Sequence, residues 1–210
     1  MNNLKIPKLD VKKADFSSSF ARLIEIIKFK HKAIDEVAAD SKYYFPALIF
    51  LLAGCIAGPL GGVLFGVRAL NVVVRTNISY FLTTALISII IALASIYIIS
   101  FVAVKFFKGQ GKLSELFSVI GLCMGVRVLD LVGYLFHGLG GLISAVVGIW
   151  LLIILFISIK RIFKMDEANT VLTIIVSIVA IVVLSGLLNS VIGSPFSLGS
   201  LDLGSISLTY

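Results

Sequence analysis

Two charged side chains, Arg127 and Asp130, stand three residues apart inside an apolar stretch, residues 114–136, that is long enough to cross a bilayer. A charge at the centre of a membrane helix costs roughly 2.5–3.5 kcal/mol on insertion scales, so both residues need an account. At i, i+3 they are neighbours on a helix surface and can pair with each other. At about 100° per residue, Cys123, Arg127, Asp130 and Tyr134 fall within about 60° of arc and make one polar stripe. Gly121 and Gly125 fall on a different sector, open to close helix contact. Two chemistries fit this stripe. Either the pair neutralises itself inside the bundle and fixes helix register, or the stripe lines a polar cavity for a substrate, an ion or a lipid headgroup or docks a partner's span.

Other reactive constellations are missing from the sequence. There is no phosphate-binding G-x-x-x-x-G-K-[ST], no H-E-x-x-H, no C-x-x-C and no G-x-S-x-G. His31 and His137 stand alone, without acids or thiols at metal-ligand spacing, so no metal and no cofactor is expected. Cys55 and Cys123 both lie in apolar runs and read as small packing residues. Asn77-Ile78-Ser79 matches a glycosylation acceptor but abuts an apolar run. Enzyme activity is not expected.

The elements that position the stripe follow from composition. The 210 residues are 59% hydrophobic and 14% charged, with a mean hydropathy of +1.11. A soluble domain of this size could not bury that much apolar surface, whereas a membrane protein need not. Five apolar runs cover about residues 44–66, 79–104, 115–136, 139–159 and 170–193, each long enough to cross the bilayer as helix. The expected fold is an all-α polytopic membrane protein, residues 44–193, preceded by a cytoplasmic segment, 1–43, and followed by an extracytoplasmic tail, 194–210. Lys and Arg number nine, three and three in segments 1–43, 105–114 and 160–169, and two, none and none in 67–78, 137–138 and 194–210. By the positive-inside rule the N-terminus is cytoplasmic and the C-terminus extracytoplasmic. The net charge of +7 therefore reads as topology signal and as contact with anionic headgroups, with no nucleic-acid partner.

Within the cytoplasmic segment, residues 16–39 show helical periodicity. Phe16, Phe20, Ile24, Ile27, His31, Ile34 and Ala38 share one face, and residues 17–19 are serines placed to cap it. An amphipathic helix lying in the interface is expected, with a partner-binding helix as the competing reading. The first span carries Gly54, Gly58, Gly62 and Gly66 at four-residue spacing, a ridge for another helix, with Pro59 expected to kink it. Whether the ridge meets another span or a second copy of the chain stays open. Spans three and four, joined around His137 and Gly138, must form a tight hairpin. Gly109 and Gly111 read as loop breakers. The tail is either a flexible segment or an extended one docking on the outer mouth.

The basic segment IEIIKFKHKAIDEVAADSKYYFPALIFLL, the stretch FKGQGKLSELFSVIGL with its Gly-x-Gly and Phe117, and WLLIILFISIKRIFKMDEANTVLTIIV with Ala168 together resemble the Ypt-interacting-protein (Yip) domain family. The resemblance covers about residues 20–190. It implies five helical spans, a cytoplasmic N-terminus and partners among membrane or trafficking proteins: Rab-type GTPases for eukaryotic members, ABC-type exporters for some prokaryotic ones. The short N-terminal region resembles prokaryotic members of the plasma membrane. The third span departs from the family pattern in having no proline. The leading expectation is a non-enzymatic membrane scaffold or accessory subunit. The alternatives are a small transporter or channel using an Arg127/Asp130 cavity, and a protein that shapes lipid through its interfacial helix.

Overall fold

In a computed structural model, residues 14–69, 72–74, 77–136 and 140–192 are described. Two short helices come first, α1 (Phe16–Ile27) and α2 (His31–Ala39), and a 3-10 turn, Ser41–Tyr43, leads into α3 (Tyr44–Phe65). A small antiparallel pair, β1 (Val67–Ala69) and β2 (Val72–Val74), joins α3 to α4 (Ile78–Lys105). The third apolar run is interrupted: α5 (Leu113–Met124), a 3-10 stretch Gly125–Leu129, then α6 (Asp130–Leu135). The chain closes with α7 (Gly140–Ile162) and α8 (Glu167–Ile192). Five helical segments are long and apolar enough to span a membrane: Ser41–Phe65, Ile78–Lys105, Leu113–Leu135, Gly141–Ile162 and Glu167–Leu188. The protein is an all-α, polytopic integral membrane protein.

The N-terminal segment departs from the single helix expected over 16–39. It folds as a helical hairpin that breaks at Phe29, a bulky residue in the left-handed region at φ 57°. That conformation is held by packing, because the Phe29 ring stacks on Trp150 of α7 at 5.0 Å and the Trp150 Nε1–H donates to the Ile27 carbonyl at 3.0 Å. The break divides the expected apolar face. Ile34 and Ala38 of α2 are buried in the bundle core, whereas Phe16, Phe20 and Ile24 of α1 stay exposed. The N-cap of α1 is Asp15, whose carboxylate accepts from the Ser18 N–H at 3.0 Å; the serines expected to cap it lie inside the first turn.

The core runs through α1, α2, α3, α4, α5 and α7, with Ile26, Ile34, Leu51, Leu116, Ile154 and Phe163 fully enclosed. The outermost span, α8, turns a stripe of small hydroxyl residues, Thr170, Thr173 and Ser177, into the protein together with Ile174 and leaves most of its other branched residues outside. Small side chains at i, i+3 and i+7 permit close backbone approach in lipid. Two of the hydroxyls satisfy themselves locally, Thr170 on the Asp166 carbonyl and Thr173 on the Asn169 carbonyl. Asn77, the residue of the glycosylation match, caps α4 by accepting from the Tyr80 N–H at 2.8 Å. His137, Gly138 and the tail 194–210 lie outside the described residues, as do 1–13.

Candidate functional site: the broken third span

The third span is shaped by its contact with the first. A Cβ added to Gly121 would stand 2.8 Å from the Ala47 carbonyl oxygen, and one added to Gly125 would strike the Phe50 ring. From the other side, a Cβ on Gly54 would stand 2.1 Å from the Met124 carbonyl oxygen. The two backbones therefore touch where α5 gives way to the 3-10 turn. The contact continues outward at Gly61, where a Cβ would fall 2.3 Å from the Tyr134 ring. The seam uses Gly54 and Gly61, seven residues or two turns apart, and not the four-residue ridge anticipated from the sequence. Gly58 meets nothing within 4 Å. Gly62 is buried, and Gly66 at φ 80° caps α3, where a residue without Cβ is favoured.

The 3-10 turn redistributes the expected polar stripe. A 3-10 turn advances about 120° per residue, so wheel arithmetic at about 100° loses register across Gly125–Leu129. Arg127 and Asp130 still pair, Nε to Oδ2 at 3.4 Å. Asp130 is buried, and its second oxygen accepts from the Ser144 hydroxyl of α7 at 3.0 Å. The carboxylate thus ties the third span to the fourth. The Tyr134 ring packs on Gly61 of α3. Cys123 and Arg127 face a different space, a cleft of about 490 Å³ walled by α4, α5, α7 and α8. The four residues of the stripe are therefore shared among three surroundings. Ser144 was missed by sequence reasoning; its one signal was a hydroxyl early in a span hairpinned to the third.

Gly109 and Gly111 are more than loop breakers. A Cβ on Gly109 would stand 2.9 Å from the Phe163 Cβ, and one on Gly111 would stand 2.6 Å from the Ile162 carbonyl oxygen. The Gln110 N–H donates to the Phe163 carbonyl at 3.0 Å, so the loop between α4 and α5 is docked on the end of α7. Glycine is needed for this approach.

Charges of the N-terminal hairpin are largely paired among themselves. Arg22 bridges Glu25 and Glu36, the latter at 2.6 Å, and Lys30 reaches Glu25 at 3.1 Å. The Arg22 hydrogen bond, with that of Lys30, holds the Glu25 carboxyl below the ordinary glutamate range. Asp35 of α2 takes a two-pronged contact from Arg161 of α7, at 2.9 and 2.5 Å, and so fastens the hairpin to the bundle. Among the described residues no three His, Cys, Asp or Glu side chains gather as metal ligands.

Five apolar helices around a glycine-lined seam define a polytopic helical membrane protein. The family model described as the Yip1 domain matches residues 24–188, well over half the chain, and the protein belongs to that family. It is generally a family of non-enzymatic membrane proteins. No curated protein and no solved structure matches the chain.

Proposed function

We propose that this protein is a membrane scaffold or accessory subunit without catalytic activity, working through helix contacts with other membrane proteins. The observation that carries the reading is the fate of Asp130. Its carboxylate is buried and engaged by Arg127 and Ser144, so the acidic group deep in the third span, beyond Glu115 in its first turn, is consumed in tying spans together. An ion or proton pathway needs further titratable groups in sequence across the membrane. Among the residues lining the adjoining cleft, Arg127 alone is charged.

The surfaces offered to partners are the exposed face of α8 and the stripe Phe16, Phe20 and Ile24 on α1. The α1 stripe also suits the interface with anionic headgroups, as the distribution of basic residues requires of a cytoplasmic N-terminus. The plasma membrane of a prokaryote, with an ABC-type exporter as partner, is the setting we favour. A second copy of the chain is the other partner of this chemistry. The transporter reading rests on the cleft, which has the size of a small-molecule site.

Purification of the full chain from its native membrane in mild detergent tests the proposal. A stoichiometric membrane partner is the expected result. A chain that purifies alone, and that gives ion or solute flux in sealed liposomes, overturns it in favour of transport.

A further inference from the structure

The cleft beside Arg127 has a polarity that a packing defect would not have. One end is closed by Arg127, Ser88 and Gly148; the other is formed by aliphatic residues such as Ile99, Ile120 and Leu155. From Ser88 to Ile99 along α4 the cleft extends about 16 Å at the helical rise of about 1.5 Å per residue. Its width at the polar end depends on Gly148, where an added Cβ would meet nothing within 4 Å. Arg127 is not used up by its carboxylate neighbour. Its side chain is 46% exposed, and its ion pair with Asp130 is long, 3.4 Å from Nε to Oδ2. Asp130 gives its other oxygen to Ser144 at 3.0 Å, so Arg127 shares its carboxylate neighbour with a hydroxyl and keeps much of its guanidinium turned to the cleft.

A guanidinium held in apolar surroundings attracts an anion, and phosphate matches its paired N–H groups. A long aliphatic trough leading away from that cation suits an acyl chain. We infer that the cleft is a binding site for one anionic phospholipid, its phosphate on Arg127 and one acyl chain lying along α4, α5 and α7. The orientation agrees with the charge distribution along the chain. With the N-terminus cytoplasmic, Arg127 lies about 4–5 Å to the extracytoplasmic side of the middle of its span, from where its long side chain can reach towards that interface, and the trough runs from it across the bilayer centre. Charge complementarity selects the headgroup; trough length selects a lipid over a free phosphate.

The test uses the full chain, delipidated in mild detergent and titrated with phosphatidylglycerol or phosphatidylcholine of identical chains, with bound lipid counted by native mass spectrometry. Glycerol phosphate, the headgroup without chains, serves as a third ligand. Wild type should retain one phosphatidylglycerol about tenfold more tightly than phosphatidylcholine and should not retain glycerol phosphate. Arg127→Gln should erase the preference between the two lipids. Gly148→Leu, which fills the trough and leaves the Arg127–Asp130 pair intact, should remove both. Equal retention of the two lipids by wild type overturns the inference, as does undiminished phosphatidylglycerol binding by Gly148→Leu. Should Arg127→Gln fail to fold, Gly148→Leu decides alone. Retention of glycerol phosphate would make this a soluble-anion site and would equally overturn it.

Discussion

The seam between the first and third spans makes a sharp prediction, because two glycines one turn apart on α3 should respond unequally to the same substitution. Gly54→Ala places a methyl group 2.1 Å from the Met124 carbonyl oxygen, where ordinary contact begins at 3.4 Å. The two backbones must therefore part by about 1.3 Å at that point. Neither partner atom is the end of a flexible side chain, so the strain falls on the packing of α3 against α5. Overfilling a packed contact costs about 1–3 kcal/mol. Helix propensity returns about 0.5–1 kcal/mol when alanine replaces glycine. The net for Gly54→Ala is a loss of about 1–2 kcal/mol. Gly58→Ala meets open space across the bundle, but the Pro59 ring crowds a Cβ on the residue before it, which offsets the propensity gain and leaves the change near neutral. For a chain of this length, each kcal/mol moves the melting temperature by about 2–4 °C. Thermal unfolding of the full chain in detergent should separate the variants, with Gly54→Ala below wild type and Gly58→Ala close to it. A Gly54→Ala protein as stable as Gly58→Ala would refute the close approach of the two backbones.

Three further outcomes follow from individual contacts. Asp130→Ala removes the acceptor for Arg127 and Ser144 and should cost about 1–3 kcal/mol, while Arg127→Leu/Asp130→Leu costs less than the sum of its single changes; a double-mutant cycle read by chemical unfolding checks the coupling. Trp150 is the one tryptophan in the chain and is stacked on Phe29, so Phe29→Ala should change its emission by releasing the N-terminal hairpin; an unaltered spectrum would contradict the docking. The depressed carboxyl of Glu25 contributes stability that is present above its unfolded value and lost as pH falls through the lower folded value. Protection of residues 16–39 from hydrogen exchange, taken relative to the intrinsic rate at each pH, should therefore be high at about pH 6 and fall towards about pH 3, and Glu25→Gln should flatten that dependence.

Five spans were legible because membrane helices must be about 20 apolar residues long, and no tertiary detail alters that count. The family could be read from Gly109, Gly111 and the basic flanks, and residues 24–188 match its model. Position within the spans was less legible. The polar stripe was drawn with one helical pitch, whereas the turn at Gly125–Leu129 changes the pitch in the middle of the stripe. That change accompanies a contact with α3, and a partner helix leaves no periodic mark in the sequence of the helix it deforms. The glycine ridge shows the same limit: Gly54 faces a backbone, Gly58 faces open space, and their spacing is identical to that of true contact pairs. In the N-terminal segment, one apolar face was read across a break at Phe29, since no glycine or proline marks the turn. What sets that turn is Trp150, more than a hundred residues away.

The central claim, that the Arg127–Asp130 pair ties the bundle together while partners are engaged elsewhere, is tested most directly by Arg127→Leu/Asp130→Leu expressed in the native membrane. After mild-detergent purification, the molar ratio of partner to chain is measured beside wild type. The account predicts a folded variant that retains its membrane partner at the wild-type ratio. A variant that folds normally and loses the partner would place the pair in the docking surface and contradict the account.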